Sequence, residues 1–379
     1  MPTDTGGAQA VTGPEPELID TARPVLSPAA DKRGLRLALG ASASFALALV
    51  LGWPMANFSA VFVVLFLQGP APMPPSALWK LVQTGFVFLS TSWLLASMLA
   101  VYPVPFLMAV AMAVSMSFYW ATRGAGTLAV VLALMAALMI PNLVLTSREL
   151  ALMLVIWVPA NLAIAWCWTV FMFYVFPPDP LPQGAAKGGD GKVDPGRLVL
   201  RMSFVTVPFA MLFFLSGSGM LVTLFFVALL SMQLAAATGA GPVVAKGMLK
   251  ANAIGGIAAV IAYEITVIAP LMLVAMVVMT VVALALARWF VSDRADASLA
   301  GSSLSTLIIL YGGSVAPFGD DADVQMLDRL LQIGFALGFV LIAYLVVDAF
   351  FPLRRNSDRK RGGLRRLTRK GRAAQRAQS

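Results

Sequence analysis

The chain has 379 residues, 59% of them hydrophobic and only 12% charged, with a mean hydropathy of +0.85. Soluble domains carry about 25% charged residues, so this composition excludes an ordinary globular protein. Its recurrent apolar stretches of about 17–25 residues predict membrane-crossing helices, and a β-barrel, which would show short segments of alternating polarity, is excluded as well.

The net charge of +9 is local. Eleven Lys/Arg and one Asp fall between Arg354 and Arg376, and the rest of the chain sums to −1. A basic tail just after a last span meets anionic lipid headgroups rather than nucleic acid. There is no His and a single Cys, Cys167. A His-ligated metal site, a histidine relay and an intrachain disulfide are therefore all impossible, and no cofactor is expected.

Residues 1–33 carry Pro, Gly and acids without an apolar run. They read as a disordered cytoplasmic N-terminus, not as a signal peptide, which needs a basic start followed by a hydrophobic region. Spans are then predicted at about 35–52, 57–69, 78–101, 104–121, 126–145 and 149–176. Trp53-Pro54, Tyr102-Pro103-Val104-Pro105 and Arg123-Gly124 punctuate them, because Pro removes a donor and Gly permits unusual dihedrals. The second span is short, so it is either tilted or half of a broken pair with the first. Residues 178–196 form a polar cytoplasmic linker rich in Gly, Pro, Lys and Asp. Beyond it, spans are predicted at about 198–216, 219–237, 243–265, 267–290, 299–317 and 325–351, followed by a basic cytoplasmic tail, 353–379.

The two halves, 34–177 and 197–352, correspond. Arg36 parallels Arg197, Gln68 parallels Gln233, and Lys80 parallels Lys246, at offsets of 161, 165 and 166 residues. Phe176-Pro177 and Phe351-Pro352 close the halves. The expected fold is all-α: two parallel six-helix repeats, about twelve transmembrane helices, related by an axis along the membrane normal. With both ends cytoplasmic, the inner loops hold Lys80, Arg123, Lys187, Lys192, Lys246, Lys250, Arg288 and Arg294, and the outside keeps Arg148 and Arg329. That asymmetry fits the positive-inside rule.

An ionisable residue at membrane depth is costly unless paired or wetted, which makes the few that occur the first candidates for function. Glu264 reads either as a proton acceptor or as a carboxylate reaching interfacial water at the end of the ninth span. Asp348, near the end of the last span, reads as a second coupling group or as half of an ion pair with Arg354, Arg355 or Arg201. Lys246 and Lys250, at i and i+4, share a helix face, and Lys80 occupies the matching place in the third span. These lysines would attract an anionic substrate or a lipid phosphate, or simply snorkel. Gln68, Gln83, Gln233, Asn142, Asn161 and Asn252 line a path or hydrogen-bond between helices; duplication favours Gln68 and Gln233 as substrate contacts. Asp320-Asp321-Ala322-Asp323 is the one acidic cluster, either a cation or partner site or a helix cap. No Ser/His/Asp constellation or metal-ligand spacing occurs, so no catalytic residue is assigned and an enzyme is not expected.

Gly34-Leu35-Arg36-Leu37-Ala38-Leu39-Gly40, Leu51-Gly52-Trp53-Pro54 and the apolar run from Val61 to Leu67 together resemble the fusaric-acid-resistance (FUSC) and aromatic-acid-exporter superfamily. The resemblance is to a short branch of unassigned function that lacks the large cytoplasmic domains, and it covers roughly 34–352. It implies a bacterial inner-membrane efflux permease that exports aromatic acids or drugs by proton coupling. Its partners would be membrane lipids, a small-molecule substrate, a periplasmic adaptor and an outer-membrane channel. Two alternatives from the residues themselves are a non-transporting scaffold and a lipid-modifying enzyme using Asp320–Asp323. A major-facilitator transporter fits less well, because the loop Gly69–Pro75 lacks that family's charged motif.

Overall fold

A computed structural model describes residues 28–178, 195–216, 224, 227–232, 241–315 and 322–350. The described residues are helical, without strands, and eight helices are long and apolar enough to cross a membrane. The protein is a polytopic helical membrane protein.

The helices are α1 (Pro28–Leu51), α2 (Ala56–Leu67), α3 (Pro75–Leu99), α4 (Pro103–Thr122), α5 (Thr127–Thr146), α6 (Arg148–Val175), α7 (Pro195–Ser216), α8 (Gly241–Ile268), α9 (Met272–Phe290), α10 (Leu299–Val315) and α11 (Ala322–Phe350). Residues 227–232 are helical too. The boundaries follow local chemistry. Pro75 and Pro103 open α3 and α4, where a missing N–H costs nothing. Ser147 caps α6 by accepting from Leu150 N at 3.3 Å, with Glu149 in the first turn facing the positive end of the helix dipole. Gly124, at φ +87°, turns the chain between α4 and α5. The first helix begins at Pro28, earlier than its apolar pattern, because Asp31, Lys32 and Arg33 prolong it beyond the apolar stretch.

Among the described residues, three prolines fall beyond the first turn of a helix. Pro159 lies in α6 and Pro208 in α7. Pro141 lies in α5 just after a π-helical turn, Met135–Met139. Such turns insert one extra residue and recur at functional sites.

Around α2 the packing is dense. Ala60, Val63 and Leu67 are fully buried, because α2 sits among α1, α6 and α10. On one side, α3 packs on α5 and α6, α4 on α5, and α5 on α6. On the other, α8 packs on α10 and α11, α9 on α10, and α10 on α11. The two groups meet where α1 crosses α9, α4 crosses α7, and α2 crosses α10.

Candidate functional site

Between the two groups runs a seam of uncharged polar side chains. Gln68, at the C-cap of α2, lies over Gly301, where an added Cβ would stand 2.6 Å from the amide. Eleven residues earlier, the Asn57 amide lies equally close over Gly312. Glycine at both positions leaves room on α10 for the two amides. The seam continues into α8: Thr306 donates to Asn252 at 2.9 Å, and the Tyr311 and Thr266 hydroxyls share a hydrogen bond of 2.7 Å. Tyr311 is fully buried against Phe45, at 5.6 Å between ring centres. At Gly255 an added Cβ would meet the Ser303 carbonyl at 2.4 Å. The seam is close-packed, polar and without an ionisable residue apart from the Tyr311 phenol.

At the Gln68 end, arginines bolt the helices together. Arg33 donates to the Gln68 carbonyl at 2.9 Å and stacks over Phe290 of α9 at 4.8 Å. Arg36, 3% exposed, donates to the Phe176 carbonyl at 3.2 Å and lies 4.0 Å over the Phe173 ring. Guanidinium on a helix C-terminus and on an aromatic face meets one end carbonyl and the ring quadrupole, while the buried Arg36 Nε has no hydrogen-bond partner among the described residues. Arg201, 4% exposed, stacks 5.5 Å over Tyr344 of α11. The residue whose surroundings match those of Arg36 is therefore Arg201, one turn past the exposed Arg197. The sequence correspondence pairs Arg36 with Arg197, which lies four residues before Arg201 on the same helix.

A cavity of about 960 Å³ opens between α3 and α4 on a floor of α5. Phe86, Phe88, Leu95, Met116 and Trp120 supply apolar wall, and Gln83, Thr84, Thr91, Ser92 and Ser117 supply polar points. Its floor includes Ala136 of the π turn, whose carbonyl accepts from Ser92 at 2.5 Å. None of the described residues lining it is charged. Lys80 is exposed at i−3 and i−4 from Gln83 and Thr84, on their helix face. Arg123, also exposed, follows Trp120 by three residues. Both cations thus stand at one mouth of the groove.

The remaining candidates are scattered. Lys250 forms an ion pair with Asp296, in the α9–α10 connection, and that carboxylate also accepts from Trp289 Nε1 at 3.2 Å. The Lys250 hydrogen bond first, then that of Trp289, holds the Asp296 carboxyl below its ordinary range. Lys246 is exposed one turn earlier on α8. Glu264 is exposed four residues before the end of α8, outside both the seam and the cavity. Gln233 and most of the Asp320–Asp323 cluster lie outside the described residues, as does the side chain of Asp348. Asn161 is fully buried in α6: it accepts from Trp53 Nε1 at 2.8 Å and donates to the Trp157 carbonyl at 2.8 Å and the Pro54 carbonyl at 3.4 Å.

Sequence reading missed Asn57, Gly301, Gly312 and Asp296. The two glycines lie eleven residues apart on α10, as the two amides do on α2. That equal spacing is the one signal that could have joined them.

A family model described as a protein of unknown function (DUF2955) matches residues 33–176. No curated protein and no solved structure matches the chain.

Proposed function

We propose that the chain is an inner-membrane efflux permease built from two parallel six-helix repeats, exporting amphipathic, anionic aromatic compounds by proton coupling. Helix pairing supports the repeat. The contacts α3·α5, α3·α6, α4·α5 and α5·α6 recur as α8·α10, α8·α11, α9·α10 and α10·α11, and the inter-group contact α1·α9 is exchanged with α7·α4. Arg36 and Arg201 stand 165 residues apart, as do the helix ends Leu51 and Ser216. The linker and both termini lie on the cytoplasmic side in this reading.

One observation carries the transport reading: the amides of Gln68 and Asn57 sealed over Gly301 and Gly312 between the groups. Lipid has no use for such a row, whereas a path that opens between two rigid bundles needs polar groups that close without voids. Substrate enters from the inner leaflet through the α3–α4 groove, its carboxylate at Lys80 and its ring among Phe86, Phe88 and Trp120. It then passes the seam at Gln68 and its counterpart Gln233, with Lys246 and Lys250 adding positive potential at the entrance. Glu264, with Asp348 at the far end of the second repeat, is the carboxylate assigned to proton exchange. A periplasmic adaptor and an outer-membrane channel complete the route.

The test is uptake of 1-naphthoate by everted membrane vesicles or proteoliposomes under an imposed pH gradient. Wild type should concentrate the probe, Q68A and G312V should lose uptake while remaining inserted, and E264Q should lose its dependence on the gradient. Absence of uptake by wild type, or full uptake in all three variants, would refute the reading.

A further inference from the structure

We propose that α1 and α2 form a re-entrant hairpin whose turn, Gly52-Trp53-Pro54-Met55, stops at mid-depth and faces a water-filled vestibule open at the Arg148 end of the bundle. The first observation is length. Helix α2 has 12 residues, about 18 Å at 1.5 Å per residue, against a hydrocarbon core of about 30 Å. It cannot cross alone.

The second observation is a ruler within the structure. Arg36 binds the last turn of α6 through the Phe176 carbonyl, and Trp53 binds Asn161 of the same helix. From Phe176 to Asn161 is 15 residues, and from Arg36 to Leu51 is also 15, so α1 and α6 run side by side for about 22 Å. Beyond Asn161, α6 continues for 13 residues to Arg148, a further ~20 Å. That stretch is apolar, with Leu150, Met153 and Ile156 on its exposed face. The turn therefore ends level with the middle of a full-length span.

Chain geometry at the turn agrees. Gly52 and Met55 both have positive φ, 57° and 55°, so the chain reverses within four residues. Asn161 supplies an acceptor to Trp53 and a donor to the Pro54 carbonyl, satisfying polar groups that lipid could not. Irregular backbone at membrane depth persists only when buried in protein or facing water. Gly52 is exposed, so this irregular backbone is not buried by the rest of the described chain, which leaves water to face it. The Arg36 end is closed by Arg33, Gln68, Phe290 and Gly301 packed together, so the water enters from the other end.

A hairpin that enters and leaves on one face does not alter the sidedness of any later helix. It does shorten the barrier. The closed part of the seam runs only from Gln68 to Asn57, 11 residues or about 16 Å, and anything passing it emerges into the vestibule beside Trp53.

The experiment uses the full chain in proteoliposomes, with Cys167 replaced by Ser and single cysteines at L35C, L51C and E149C. Spin-label depth, read from relaxation by oxygen and by a water-soluble nickel chelate, should place L51C between L35C and E149C. A membrane-impermeant thiol reagent should reach L51C only from the side on which it reaches E149C. Equal depth at L51C and E149C would overturn the hairpin. Labelling from the opposite side, or from neither, would overturn the vestibule. V50C serves as the second probe if L51C does not elute as a monodisperse species.

Discussion

Replacing Gly255 by Ala sets two known effects against each other. In an exposed helix the change is favourable by about 1 kcal/mol, because alanine loses less backbone entropy. Here the new Cβ would lie 2.4 Å from the Ser303 carbonyl oxygen and 2.8 Å from Thr306 Cβ, about 1 Å short of ordinary contact. Two of those neighbours' atoms are fixed: one is backbone, the other is held on a rigid β-branched side chain. The helices must therefore part, and overpacking of this kind costs about 1–3 kcal/mol. Parting also strains the Asn252–Thr306 hydrogen bond, 2.9 Å long and one turn away, where such interhelical bonds contribute about 0.6 kcal/mol on average. The net expectation for G255A is a loss of roughly 1–2 kcal/mol, the overpacking outweighing the propensity gain. Gly334 in α11 has nothing within 4 Å of an added Cβ, so G334A should be neutral or slightly stabilising. Thermal unfolding in one detergent, followed by intrinsic fluorescence, compares the two directly. Equal stability of G255A and G334A would refute the claim that glycine sets the α8–α10 approach.

Two further outcomes follow from the same geometry. N161A leaves the Trp53 indole N–H without its acceptor, at a cost of about 1–3 kcal/mol; adding W53F removes the orphaned donor, so the double variant should recover part of the lost melting temperature, and a simply additive loss would contradict the bond. The Lys250–Asp296 pair predicts an acid-sensitive contribution. Because the folded carboxyl titrates below its unfolded value of 3.8, its stabilisation is present above that pH and is lost as pH falls through the lowered folded value. A melting-temperature profile from pH 6 to 2 should therefore fall less steeply at its acid end in D296N than in wild type.

Span positions were legible in the sequence because lipid leaves a helix no choice but continuous apolar residues. Predicted spans at about 78–101 and 149–176 became α3 (Pro75–Leu99) and α6 (Arg148–Val175), their ends fixed by Pro and by the Ser147 cap. The brevity of α2 was visible as well, with its two explanations. Pairing was less legible. Lys250 read as a substrate cation, since nothing in its own helix announces an aspartate 46 residues on. Glu264 reads from its apolar neighbours either as a proton acceptor or as a carboxylate at the span end, and it sits on the exposed face of α8 with Ile257, Ile261 and Ile268; hydropathy reports depth along a helix but not direction around it when every face is apolar.

By itself, then, the sequence determined that this is a helical membrane protein and, to within a few residues, where helices such as α3 and α6 lie. Only the tertiary structure decided which residues meet: Gln68 with Gly301, Asn57 with Gly312, Asn161 with Trp53, Lys250 with Asp296. Burial of apolar surface cannot steer helices that lipid already solvates. Their partners are chosen by close approach at glycines and by single polar contacts, which leave no periodic trace along the chain.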